Sequence, residues 1–191
     1  MDTRRPDDDA SDRTARANEL QGEPPSFESV YAEQVGFVFR TLRQLGVPES
    51  TLEDAVQNVF IVVHRRLGEF EGRASMRTWL FRIVRRVASD ARRSMRRRGG
   101  SEPIDEAMAD DGARLPDREA ERNEAARRLA QILEALDEEK RAVFVLAEIE
   151  QMSTPEIADA LGVNVNTVAS RLRAARQAFE RAIERDRRRN R

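Results

Sequence analysis

The sequence predicts an all-α chain of two small helical domains joined by a flexible acidic linker, the C-terminal domain containing a helix-turn-helix. Apolar residues recur at i, i+3, i+4 spacing in two blocks, the signature of helices with one buried face. Between the blocks, Gly99, Gly100, Pro103, Gly112 and Pro116 stand among many acids, a composition that does not fold alone. Net charge divides as −3 for residues 1–25, +6 for 26–98, −6 for 102–124 and +2 for 125–191, so two basic modules are flanked and joined by acidic segments. These observations delimit 1–25 as a disordered segment, 26–98 as the first domain, 99–124 as the linker, 125–184 as the second domain and 185–191 as a basic tail that frays.

The first helix spans 27–45, with Val30, Tyr31, Val38, Leu42 and Leu45 at helical spacing and Gly46, Val47 and Pro48 ending it. Ser50 and Glu53 have capping-box spacing and predict the next start. From there Leu52, Val56, Val59, Phe60, Val63 and Leu67 line one face until Gly68. The other face mixes Asp54, Gln57 and Asn58 with Ile61 and Val62, apolar groups that a solvated surface does not require. Either another protein or a third helix of the same domain covers it.

After a loop at 71–74, Ser75 caps a long helix to about Met95. Met76, Leu80, Ile83, Val84, Val87 and Ala91 fall on one side; Arg82, Arg85, Arg86, Ser89, Arg92, Arg93 and Arg96 fall opposite. Like charges three and four residues apart repel, and a polyanion relieves them. This cationic rail therefore points to nucleic acid. Helix resumes at Asn123 with Ala126, Leu129, Ile132, Leu133 and Leu136, and Asp137 caps a further helix bearing Val143, Phe144, Leu146 and Ala147.

The helix-turn-helix follows. Ser153 and Glu156 form a capping box with Pro155 in the first turn, Ile157, Ala158 and Leu161 point inward, Gly162 supplies the left-handed turn and Asn164 caps the second helix. Val168, Leu172, Ala175 and Phe179 face inward on that helix, leaving Thr167, Ser170, Arg171 and Arg173 for base edges and phosphates in a major groove.

Composition excludes other chemistries. The chain has no cysteine and one histidine, His64, so thiolate or paired-histidine metal sites and a Cys nucleophile are out. With no Gly-rich phosphate loop and no Ser-His-Asp set, the chain is expected not to be an enzyme and to need neither cofactor nor metal. No apolar stretch of about 18 residues occurs, so no membrane insertion and a cytoplasmic location are expected.

The stretches DAVQNVFIVVHRRL at 54–67 and FEGRASMRTWLFRIVRRVASDARR at 70–93, followed by the helix-turn-helix, resemble the extracytoplasmic-function (ECF) class of bacterial RNA polymerase sigma factors. The resemblance covers 27–98 and 126–184. It implies that core RNA polymerase and promoter DNA are the partners, with an anti-sigma protein as a further one. It implies that Asp54, Gln57 and Asn58 face the polymerase clamp. Phe70, Arg73 and Ser75, in the 70–75 loop, would receive an unstacked base of the minus-ten element, with Arg82, Arg85, Arg86 and Arg93 holding the strand's phosphates. Asn166, Thr167, Ser170, Arg171, Arg173 and Arg176 match positions near the minus-thirty-five duplex; Arg176 either touches phosphate or pairs locally. Trp79, at the edge of the apolar face, reads as core packing more than as a stacking platform. Two positions depart from the family pattern: Asn58, where Glu is usual, and Ala169, where Lys or Arg is common. The acidic linker is expected in the polymerase's RNA path. The alternative is a stand-alone helix-turn-helix regulator that acts without polymerase docking.

Overall fold

The computed structural model describes residues 25–97 and 117–189, with the side chains of 117–123 excepted; the expectations for 1–24 and 98–116 lie outside them. The described residues form helices α1 (Phe27–Gln44), α2 (Leu52–Arg66), α3 (Met76–Arg97), α4 (Asp117–Leu133), α5 (Glu138–Phe144), α6 (Thr154–Leu161) and α7 (Val165–Arg189).

Local chemistry starts and stops these helices. The Ser26 side chain caps α1 by accepting from the Ser29 N–H, and Gly46, at φ 82°, turns the chain out of it. The Ser50–Glu53 box does not form. A 3-10 turn, Glu49–Thr51, places Ser50 in helical rather than extended backbone, so α2 opens at Leu52 behind Thr51, which makes no side-chain cap. The Thr51 hydroxyl donates to the Pro48 carbonyl instead. Ser75 caps α3 as expected, accepting from the Thr78 N–H at 3.2 Å.

One start in the second domain differs from the sequence reading. Helix α4 begins at Asp117, inside the segment read as linker, and α7 continues through Arg189, into the basic tail read at 185–191. Asp137 caps α5 by accepting from the Lys140 N–H. The helix then widens into a π turn, Val145–Ile149, and ends at Gln151, whose φ of 55° is left-handed and whose side chain donates to the Glu148 carbonyl.

Helices α1, α2 and α3 surround Phe37, Val38, Leu42, Val59, Val63, Leu80, Phe81 and Val84. The same apolar cluster continues without a break into Val143, Leu146, Met152, Ile157, Ala158 and Val168. A second, smaller cluster of Leu133, Leu136, Phe144, Val145 and Ala175 joins α4, α5 and α7. The two domains are therefore packed together, with α6 lying along α3 and α4 against α1.

Candidate nucleic-acid interface

The arginine rail follows the periodicity at every arginine but one. Arg82, Arg85, Arg86, Arg93 and Arg96 are exposed on α3 as expected. Arg92 is not part of that surface: its long side chain turns inward, donates to the Leu45 carbonyl at 2.5 Å and pairs with Glu138 at 2.8 Å. Arg93 pairs with Asp90 of its own helix, and Arg82 reaches Asp159 of α6 at 2.6 Å. Arg85, Arg86 and Arg96 form no ion pair with any described residue, which leaves them as the open cations of the rail, Arg85 and Arg86 side by side.

The loop before α3 gathers its candidates at one end of that helix. Phe70 is half-buried and its ring lies 5.6 Å from Trp79, which packs against the core as expected. Arg73 projects into solvent with Glu71 at 2.7 Å, and the exposed Ser75 shares a hydrogen bond with Thr78. Gly72 sits at φ 69° with open space around it, so the left-handed turn rather than close packing calls for glycine.

On α7 the residues divide into free and tethered. Asn166, Ser170 and Arg173 are exposed and Thr167 half-exposed, all on the first three turns. Asn164 caps the helix as predicted by accepting from the Asn166 N–H at 2.8 Å, and Gly162 takes φ 66°. Arg171 does not stand free: it pairs with Glu139 at 2.7 Å, and its side chain is 27% exposed. Arg176 pairs with Glu148 at 2.7 Å, the local pairing of the two roles open to it. In α6 the capping box is complete, with Glu156 accepting from the Ser153 N–H at 2.9 Å. The Ser153 hydrogen bonds, more than the nearby Ser75 hydroxyl and Arg77 guanidinium, hold the Glu156 carboxyl below its ordinary range.

On the mixed face of α2, Val62 is half-buried against the core, and the rest stays uncovered by any described helix. Asp54, Gln57, Asn58 and Ile61 are exposed together, Ile61 at 42%. Beside them opens a groove of about 630 Å³ lined by Phe27, Tyr31, Phe60 and His64. His64 sits at its rim, edge-on to Phe27 at 5.1 Å. Sequence reasoning missed this aromatic floor, because Phe27 and Tyr31 lie on a different helix from Phe60 and His64.

The chain matches the family model for sigma-70 region 2 over residues 30–98 and that for sigma-70 region 4 over 126–179. It is 31% identical over 172 residues to RNA polymerase sigma factor NccH of Alcaligenes xylosoxydans xylosoxydans, a stretch covering 88% of this chain and 92% of that one. It is 32% identical over 146 residues to the ECF RNA polymerase sigma-E factor of Escherichia coli K12, covering 72% and 76%. The chain belongs to the ECF RNA polymerase sigma factors. Solved structures agree: CnrH in complex with the cytosolic domain of CnrY gives a TM-score of 0.65 at 29% identity, covering 92% of this sigma factor and 99% of that chain. The sigma factor RpoE in complex with the anti-sigma factor NepR, from Bartonella quintana, shares the fold, with a TM-score of 0.62 at 19% identity and coverage of 83% and 96%. As a sigma factor the protein binds core RNA polymerase and directs promoter-specific initiation, which sets aside the stand-alone regulator. Sigma factors as a family are not enzymes, and no described helix is long and apolar enough to cross a membrane.

Proposed function

We propose that the labour of initiation is divided by domain in this sigma factor. The first domain docks on polymerase through Asp54, Gln57 and Asn58 together with the adjoining aromatic groove. Its 70–75 loop receives a flipped base of the minus-ten element while Arg82, Arg85, Arg86 and Arg93 hold the strand's phosphates. The second domain reads the minus-thirty-five duplex with Asn166, Thr167, Ser170 and Arg173, joined by Arg171 and Arg176 when they exchange Glu139 and Glu148 for DNA. The observation that carries this reading is the pair of open cations Arg85 and Arg86, on a helix whose opposite side is anchored by Leu80, Phe81 and Val84. A rigid helix with unsatisfied guanidinium groups is suited to phosphate.

The protein does no covalent chemistry in this reading and acts in the cytoplasm, where polymerase supplies catalysis. Asn58 weakens one clamp contact, and Ala169 removes a phosphate contact from the recognition helix. An anti-sigma protein that engages both domains is the regulator. Runoff transcription with core polymerase, with and without the sigma factor, tests the reading: new promoter-specific transcripts and co-purification with core are expected. Core that initiates nowhere new and does not co-purify overturns it.

A further inference from the structure

Four large apolar side chains stand exposed among the described residues: Tyr31, Ile61, Met95 and Val165. Tyr31 and Ile61 border the groove between α1 and α2, and Met95 lies near the end of α3. Val165 is placed differently, as the first residue of α7, and is 45% exposed. The valines on either side of Asn164 part company: Val163 packs against the core, while Val165 stands in solvent. One helical turn further on, Ala169 is exposed as well, so the two make an apolar strip at i, i+4 beside Asn166, Ser170 and Arg173. At a rise of about 1.5 Å per residue the strip is about 6 Å long, the height of about two stacked base pairs.

The surroundings of the strip narrow what covers it. No Asp or Glu occurs from Ala160 through Phe179, although acids make up 35 of the 191 residues. Carboxylates there would be repelled by the phosphates that wall a DNA groove. The N-terminal residues of a recognition helix are the ones that reach base edges, and the apolar group that those edges offer in the major groove is the C5-methyl of thymine. We infer that Val165 and Ala169 pack against thymine methyl groups of the upstream element. This sigma factor then selects T at one or two positions by apolar contact, beside the polar readout by Asn166, Ser170 and Arg173. The inference rests on the proposed reading of the minus-thirty-five duplex by α7. Ala169 has its own part in it: a small residue one turn beyond the valine keeps the strip low, so the helix comes within van der Waals contact, about 3.5–4 Å, of the methyl groups.

Uracil separates this readout from hydrogen-bonded recognition, because it carries the hydrogen-bonding groups of thymine and lacks the methyl. The probe is a promoter that yields transcripts in the runoff assay, randomised over its upstream element, with that element alone synthesised from thymidine or from deoxyuridine. Holoenzyme made from core polymerase and the full chain selects duplexes from each pool. In the thymidine pool, T is expected at one or two positions. In the deoxyuridine pool that preference falls about fourfold for each methyl lost, while preference at the other positions persists. Val165→Ala brings the thymidine pool down to the level of the deoxyuridine pool, and Val165→Ile keeps the two apart by preserving a branched apolar side chain. Preference retained at the other positions shows that the Val165→Ala chain is folded and docked.

A thymine preference equal in both pools, no thymine preference at all, or a difference between pools that Val165→Ala leaves intact each overturns the inference. So does a Val165→Ala chain that weakens association with polymerase and leaves the two pools as far apart as before, which assigns the strip to a protein partner. If Val165→Ala abolishes every preference, the two pools selected by the unsubstituted chain, together with Val165→Ile, decide the matter. An upstream consensus without dependence on the methyl keeps the proposed function and loses the inference alone. A holoenzyme that yields transcripts but draws no upstream consensus from either pool removes the proposed reading by α7, and the inference with it.

Discussion

Helices α3 and α7 both turn apolar residues toward the core and arginines outward, yet their arginines are held differently. On α3, Arg85 and Arg86 make no ion pair with a described residue, while Arg82 reaches outside its own domain toward α6. On α7, Arg171 and Arg176 are each held by a carboxylate of their own domain, Glu139 and Glu148. In the proposed division of roles, the contrast teaches that a row of arginines following phosphates and a head reading bases need different surroundings. A surface that follows any backbone works best with loose, mobile cations. A surface that selects a base needs its guanidinium placed before DNA arrives, and an acidic partner supplies that placement at small net cost, since such half-exposed pairs are worth about 0–1 kcal/mol.

The largest test of the comparison removes the platform under the loose row. Phe81 is fully buried beneath α3, and Phe81→Ala is expected to cost about 3–5 kcal/mol by cavity formation. Thermal unfolding reads this; a loss below 1 kcal/mol, roughly that of a surface change, would mean α3 is not anchored there. Next is the reading head. Arg171→Ala is expected to cost about 1–3 kcal/mol of binding at the upstream element and to relax base preference at one position, which a panel of substituted duplexes would reveal. An equal loss on every duplex would move Arg171 into the phosphate-binding class and erase the contrast with α3.

Ser153→Ala is expected to cost about 1 kcal/mol by removing the cap of α6. Its pH signature has a definite sign. The Glu156 carboxyl lies below its ordinary range because Ser153 hydrogen-bonds it, so its contribution is complete above the unfolded-state value and is lost as pH falls through the lowered folded value. Ser153→Ala should flatten that acid-side loss, and an unchanged acid profile would count against the capping box as its source. The smallest effect is on salt dependence. Arg85→Ala with Arg86→Ala should reduce the salt slope of promoter binding by about one unit per contact, with stability nearly unchanged.

Features settled within a few residues were legible in the sequence. The Ser153–Glu156 box, the left-handed Gly162 and the Ser75 and Asp137 caps depend only on near neighbours, and each stands as read. The Ser50–Glu53 box had the same spacing and failed because the preceding Pro48 launches a 3-10 turn, a geometry that spacing does not encode. Arg92 was misplaced for a related reason. Its Cα lies on the rail side, but a long side chain at the helix flank can double back to an unpaired carbonyl. The joint between domains was illegible altogether. Arg82–Asp159 and Arg40–Glu150 connect residues 77 and 110 positions apart, and in one sequence an arginine awaiting phosphate looks the same as one awaiting a carboxylate. The candidate site was legible as residue types on helix faces; which of those residues are already engaged was not.

The Leu45 carbonyl, at the C-terminal end of α1, accepts from Arg92 at 2.5 Å and from Arg141 at 3.2 Å. Gly46 makes room for this, since a Cβ there would stand 2.5 Å from the Arg141 guanidinium. Burial, and then the positive charge of Arg92, weaken the hold of Arg141 on its proton. Two guanidinium groups thus share one oxygen, and Glu138, paired with Arg92 at 2.8 Å, offsets their mutual repulsion. The end of the first helix is in this way clasped from both domains, and glycine is the residue whose missing side chain leaves room for the clasp.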